Sequence, residues 1–449
     1  MRRPKTQLLN ARSLAIVIFA GASLVAQECR SAAIETREGK DLTDDATFLN
    51  EIQRRAVLFF MEQSDPVTGL THDRAAADGA TMSRTPASIA ATGFALTGWC
   101  IADARGWSKP GEALDRVKTV LKFVAEHVEH ERGWIYHFID ASTGARVWKS
   151  EASTIDTALF LSGAISAREY FDDPEVTRLV DMIYRRVDWQ WALNGGTTLT
   201  HGWRPETGFI EWRWDSYAEQ MGLYLLGIGA PSNELHPETW NAWRREPVVN
   251  FAGREFINAG PLFTHQYAHA WFDFRGQRDA HADYWVNSVQ ATLAQRDWFA
   301  EHSKKFDAWP RDMWGLTASD SASGYIAWGG PGGFGSDLVD GTVVPCAPGG
   351  SLPFAPEECL VALRAMRQSG GEKVWQRYGF VDAFNPQTGW VSKYVIGIDV
   401  GIMLVMAENY RTGLVWKVFM DAPEVQLGMQ LAGFQSHPTD PQVQLAAAE

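Results

Sequence analysis

Helical segments that are apolar all round alternate along this chain with segments that are apolar on one side only, and few architectures satisfy both kinds at once. Residues 86–105, 153–171, 215–228, 262–274 and 400–411 carry apolar or small side chains on every face, whereas 44–63, 110–128, 174–187 and 282–302 carry a single stripe. The stripe is cleanest in Leu114, Val117, Leu121, Val124 and Val128. A helix with no wet face must be buried on every side, and a one-sided helix can cover it from outside. Concentric rings meet both demands. Counting further helical patterns at 356–369, 371–378 and 413–420, roughly a dozen helices fit an all-α (α/α)6 barrel. An all-α solenoid is the alternative, but no fixed-period repeat is present. Short strand patterns at Trp134–Ile139 and Thr197–Trp203 read as hairpins in rim loops. The Gly/Ser/Pro-rich run 315–352 reads as a rim loop or lid. Its glycine cluster at 329–335 has no Gly-Lys-Ser/Thr after it, which excludes a phosphate loop.

The N-terminus pairs a basic MRRPKTQLLNAR with a short apolar SLAIVIFAGASLVA, the pattern of a secretory signal rather than a membrane span. This divides the chain into a leader over 1–33, one catalytic-size domain over 34–430 and a tail over 431–449. An exported protein, periplasmic or secreted, is expected. Cys29 would permit a lipid anchor, but Gln27-Glu28 before it spoils the usual small-residue pattern. Net charge is −13, and −17 without residues 1–33, which argues against nucleic acid and anionic membranes as partners and suits a neutral polysaccharide. Twenty tryptophans, several in polar company, suit sugar rings, whose C–H faces are apolar and whose rims carry hydroxyls; the others are expected in the core. Cys346 and Cys359 could close a short disulfide loop, but no cysteine spacing fits a metal. A monomer is expected.

Chemistry concentrates at the starts of the all-round apolar helices. In Gly208–Pro231, read as a helix from about Asp215 to Gly229, Glu219 heads a buried face, where desolvation raises a carboxyl pKa and keeps it a protonated acid. A buried glutamate satisfied by a nearby arginine explains the same pattern equally well. Asp215 reads best as a helix cap, and Asp156 as either a cap or a lumen group. Asp399 lies between apolar residues, and an unpaired buried aspartate would be costly without a role. In a ring of helical hairpins the inner helices run parallel, so these acids gather at one mouth. Paired carboxylates, one protonated and one ionised, are the working parts of glycoside hydrolysis. His265 and His269 stand i, i+4 on one segment but lack a third ligand, so a polar lumen contact or a satisfied core position is expected rather than a metal. Arg275 reads as a clamp for an acid on a neighbouring helix, and no serine-nucleophile elbow is present.

Five stretches carry a resemblance: Ser153–Leu159, Trp214-Asp-Ser-Tyr-Ala-Glu219 with Leu223–Pro231, His265–Arg275, Tyr378–Phe384, and Ile396–Gly401 with Glu408–Trp416. Together they make the chain resemble the bacterial glycoamylase-like family, including the endo-β-1,2-glucanases of glycoside hydrolase family 144, over about residues 45–420. The resemblance implies an (α/α)6 barrel, export, and inverting hydrolysis of β-1,2-glucan with no cofactor and no metal. It implies Glu219 as general acid and Asp399 as general base. Asp156 and Glu151 would be subsite or supporting groups, and Asp215, Trp214, Tyr217, His265, His269, Trp212 and Trp328 would be substrate contacts. One departure is that Val400 and Ile402 stand where the family pattern has Gln and Pro around the glycine, although Asp399 is in place. An exo-acting enzyme releasing sophorose, another glucan specificity and a non-catalytic sugar-binding protein are the alternatives.

Overall fold

Serine caps and short strands determine where the long buried helices begin, and they place these beginnings together. The computed structural model describes residues 43–82, 85–306, 308–310 and 312–437, so the expected leader over 1–33 and the tail beyond His437 lie outside the described residues. The described residues from Asp45 to His437 form one unit. In chain order its helices are α1 (Thr43–Gln63), α2 (Ile89–Ala104), α3 (Glu112–Glu126), α4 (Thr154–Phe171), α5 (Pro174–Arg185), α6 (Met221–Ile228), α7 (Tyr284–His302), α8 (Cys346–Gly350), α9 (Pro356–Gly370), α10 (Gly397–Arg411), α11 (Leu414–Met420) and α12 (Pro423–Leu431). The strands are short and antiparallel, in two-stranded pairs and one three-stranded sheet. Among the described residues no helix is long and apolar enough to cross a membrane.

The alternation holds for most of the chain. Helices α2, α4 and α10 are buried almost throughout, while α3 and α5 bury one stripe, Val117, Val120, Leu121 and Val124 in the first and Val176, Leu179, Val180 and Ile183 in the second. Helix α7, expected to be one-sided, is also buried on most of its surface. Helix α2 packs on α4 on one side and on α10 on the other, α10 on α8, α4 on α6, and α3 covers α5 outside them. Glycine permits the closest of these contacts. A Cβ on Gly163 would lie 1.9 Å from the Gly93 carbonyl oxygen, and one on Gly93 would lie 2.5 Å from that of Leu159, so α2 and α4 meet backbone to backbone.

Three short strands run straight into buried helices: Ala87–Ser88 into α2, Ala152–Ser153 into α4 and Tyr394–Ile396 into α10. They pair with Phe138–Ile139, Gly202–Arg204 and Arg74–Ala76 respectively. The expected hairpins at Trp134–Ile139 and Thr197–Trp203 therefore serve as anchors for helix starts. Ser88 and Ser153 accept the Ala91 and Asp156 amides as N-caps.

Several expected boundaries shift. The helix expected from Asp215 begins only at Met221, because the fully buried Gln220 takes the preceding backbone for itself: it accepts the Ala218 amide at 2.8 Å and donates to the Ser216 carbonyl at 2.8 Å. Asp215 is therefore no helix cap; its side chain is half exposed, 3.8 Å from Arg244. Residues 262–274 form two 3-10 turns, Leu262–His265 and Ala268–Ala270, instead of one helix. The segment 371–378 is a 3-10 turn followed by the strand Trp375–Gln376. The long loop 315–352 is largely structured: a hairpin pairs Ala318–Ser321 with Gly324–Ala327, and Cys346–Gly350 is helix α8. Glycine and proline made that helix read as loop, yet the close approach of Met403 to Gly349 and of Gln266 to Gly350 requires small residues there. Cys346 and Cys359 are free and buried. Arg275 bonds Asp273 at 2.8 and 2.6 Å and stacks over Trp416, so it clamps no neighbouring helix.

Candidate active site

Glu219 stands in the braced turn just before α6. It has no hydrogen bond or ion pair with another side chain among the described residues, so burial pushes its carboxyl up to about 7, and the nearby charge of Asp156 adds to the rise. Its environment is that of a group poised to give a proton at neutral pH.

Asp156 is the third residue of α4. Ser153 Oγ donates to one of its oxygens at 2.5 Å, a reciprocal cap, while the other faces His137 Nε2 at 3.6 Å. The second ring nitrogen of His137 meets Glu151 at 3.2 Å, and Arg204 reaches Glu151 from the far side at 3.2 Å. Burial alone would depress His137, but the Asp156 and Glu151 carboxylates outweigh it and hold the imidazole at about 9. The hydrogen bond from His137 in turn draws Glu151 down to about 2. One ligand atom from each of these three residues falls within 4.8 Å of the others, a spacing open to a metal ion. The donor chemistry favours an ion triad instead: each imidazole nitrogen already faces a carboxylate, and a metal would require the ring deprotonated.

Asp399, the third residue of α10, is buried. Burial raises its carboxyl to about 6, restrained by hydrogen bonds from Asp382 and Cys346. Asp382 is buried beside it and is pushed well above the usual carboxyl range by burial and by the charge of Asp399. Its Oδ2 accepts the Asp320 amide at 2.7 Å. Arg74 bonds Asp73 at 2.8 Å and Asp320 at 3.3 Å along the margin of this group. Tyr267, buried between the two 3-10 turns, feels both Asp399 and Glu219: burial first, then these charges, hold its phenol un-ionised. The two acids expected to do chemistry thus share one neighbour.

The expected substrate contacts divide. Trp212 is 72% exposed and free to present a flat face. Trp214 is buried, stacked on His201 at 3.9 Å with its indole N–H on Thr154 Oγ1, and Trp328 is buried with its N–H on Ser319. Tyr217 and His265 bond each other at 2.9 Å in the core, with Asn287 and Asn258 around them. His269 is buried among Phe274, Trp285 and Phe354 and bonds Ser288 at 3.0 Å. Burial depresses both histidines to about 3, leaving neutral rings. All five are buried with their rings packed in the core, and His269 Nδ1 is left there without a hydrogen-bond partner. Asp382 and His137 escaped the sequence reading. Asp382 lies in the resembling stretch Tyr378–Phe384, which was the available signal; nothing local marked His137, whose partners come from two other segments.

The family described as "Glycoamylase: Putative glucoamylase" matches residues 211–423, from the Glu219 turn to beyond Asp399. A curated relative, the exo beta-1,2-glucooligosaccharide sophorohydrolase (non-reducing end) of Parabacteroides distasonis, is 26% identical over 425 residues. The match covers 86% of this chain, but the chain spans only 58% of that relative's length. Among solved structures, an endo-β-1,2-glucanase from Chitinophaga pinensis in complex with sophorotriose and glucose superposes with a TM-score of 0.79 at 26% identity, covering 87% of this chain and 98% of that one. A β-1,2-glucanase from Parabacteroides distasonis gives 0.80 at 25% identity, covering 87% and 60%. By the family match and these relatives together, the chain is similar to glycoamylase-like proteins, among them β-1,2-glucanases.

Proposed function

We propose that the protein is a glycoside hydrolase that cleaves β-1,2-glucan, with Glu219 as general acid and Asp399 as general base. The observation that carries this reading is the state of Glu219: a desolvated carboxyl with no side-chain partner, held up at about 7 in a turn that Gln220 braces. Such a group donates its proton to the leaving glycosidic oxygen as the C–O bond breaks. Asp399 takes a proton from the water that attacks the anomeric carbon on the opposite face, and the configuration inverts. The His137 triad flanks the acid and holds Asp156 and Glu151 for sugar hydroxyls. Trp212 offers a stacking face at the margin. The helices form an (α/α)6 barrel in this reading, supported by the neighbour order α8, α10, α2, α4, α6 and by the shared end at which Asp156 and Asp399 start their helices. Export through residues 1–33 and action as a monomer belong to the same proposal.

The test incubates the protein with linear glucans of different linkage and resolves products by size. A ladder of oligosaccharides from β-1,2-glucan alone is expected for endo action, and cleavage of another linkage instead would overturn the specificity. A second reading, exo release of a disaccharide, is favoured by the hairpin Ala318–Ala327. That hairpin brings the Tyr325 phenol within reach of the charge on Asp399, where it can close one end of a cleft. A single disaccharide product would support it.

A further inference from the structure

Asp382 has no part in the proposed reaction, yet it is buried beside the base with one carboxyl oxygen left without a donor. It is 4% exposed and Asp399 is 7% exposed. With Oδ2 of Asp382 on the Asp320 amide, its Oδ1 has no donor, and neither has Oδ2 of Asp399. Two buried carboxylate oxygens without donors, in groups within hydrogen-bonding reach of each other, would be doubly unfavourable as two anions. A single proton placed between them satisfies both, because a carboxylic acid is a donor and a carboxylate an acceptor.

We propose that Asp382 is a positioning residue for the base: it remains a carboxylic acid at neutral pH and donates its O–H to Asp399, which fixes Asp399 as the ionised member of the pair. The inference rests on Asp399 being the base. The surroundings decide which partner keeps the proton. Asp399 also accepts from the Cys346 thiol and lies in the first turn of α10, where the helix dipole favours an anion. Asp382 has the Asp320 amide and faces the charges of Asp399 and Asp320. The other groups facing the pair are Asp73, the Tyr325 phenol and the Tyr267 phenol. Arg74 spends its hydrogen bonds on Asp73 and Asp320 and reaches Asp382 only through its charge, so among the described residues no cation hydrogen-bonds either member of the pair. In each turnover Asp399 accepts a proton from water and returns it to solvent, while Asp382 keeps its own.

Infrared spectroscopy of the full chain tests this in a Glu219→Gln background, which removes the acid's own protonated carboxyl. At pH 7 the carbonyl stretch of a protonated carboxylic acid is expected, and it should vanish when Asp382→Asn is added. A spectrum that Asp382→Asn leaves unchanged overturns the proposal, and this reading requires no activity, so it stands apart from the fate of the glucanase assignment. In otherwise native protein, Asp382→Asn keeps an N–H donor and is expected to lose less than about tenfold in kcat. Asp382→Ala should lose more than about a hundredfold and move the acid limb of the pH profile upward. If Asp382→Asn is as inactive as Asp399→Asn, Asp382 itself exchanges a proton in the reaction and the positioning role is wrong.

Discussion

Two glutamates, Glu408 fully buried and Glu219 partly buried, sit in surroundings that could hardly differ more. Glu408, 1% exposed in α10, is bonded by Arg105 at 3.0 Å, by Gln53 at 2.7 Å and by Thr412 at 2.7 Å. Glu219 has no such bond, and its carboxyl is pushed up to about 7 by burial. Burial alone therefore says little about a carboxylate; what it is given in exchange for water does. Glu408 joins α10 to α1 and to the end of α2, a structural cross-brace. Glu219 is left able to gain and lose a proton near neutrality, which a brace would forbid.

The largest effect should separate the two by activity. Glu219→Gln is expected to lower kcat by about a thousandfold, whereas Glu408→Gln should leave kcat within about twofold at temperatures where it is folded. Steady-state assays on β-1,2-glucan decide it, and equal losses in both variants would erase the distinction.

Stability should then separate them in the opposite direction. Glu408→Gln leaves the Arg105 guanidinium without its carboxylate, and denaturant unfolding should show a loss of about 3 kcal/mol. For Glu219 the sign reverses. Its folded pKa of about 7 lies above the ordinary 4.5, so the folded state binds more protons than the unfolded state between those values. Its contribution therefore worsens as pH rises through that window. Glu219→Gln should be more stable than the native chain at pH 8, by about 2 kcal/mol, and equal to it below pH 4.

A smaller effect sharpens the account of the acid. With Asp399 raised to about 6 and Glu219 to about 7, kcat/KM should follow a narrow bell with its optimum between those limbs. Asp156→Asn removes a like charge beside Glu219, so the alkaline limb should move to lower pH, by about half a unit. An upward shift would contradict the placement of Asp156. The smallest effect concerns the rim: Trp212→Ala should raise KM for long glucan by about threefold to tenfold with kcat nearly unchanged.

Much of this fold is legible in the chain, and the exceptions share a cause. The helix expected at 153–171 is found at Thr154–Phe171, because its apolar residues occupy every face and Ser153 supplies a cap. The helix expected from Asp215 starts late because a neighbouring side chain, Gln220, bonds the same backbone groups a helix would use. Helix α8 is hidden within Cys346-Ala-Pro-Gly-Gly350, residues that favour loops until partners from α10 press against them. Trp328 reads as a surface platform among glycines, yet the hairpin folds it inward onto Ser319.

The sequence by itself determined that this chain would be helix-rich, that α2, α4 and α10 would be buried, and that Glu219, Asp156 and Asp399 would begin buried segments, since periodicity and capping act over a few residues. Only the tertiary structure decided what each acid meets. Asp156 finds His137, Asp399 finds Asp382 and Cys346, Glu408 finds Arg105, and Glu219 finds no side-chain partner. Those encounters join residues far apart in the chain, and the protonation state of a carboxyl depends on the charges and donors within a few ångströms of it, which no local pattern encodes.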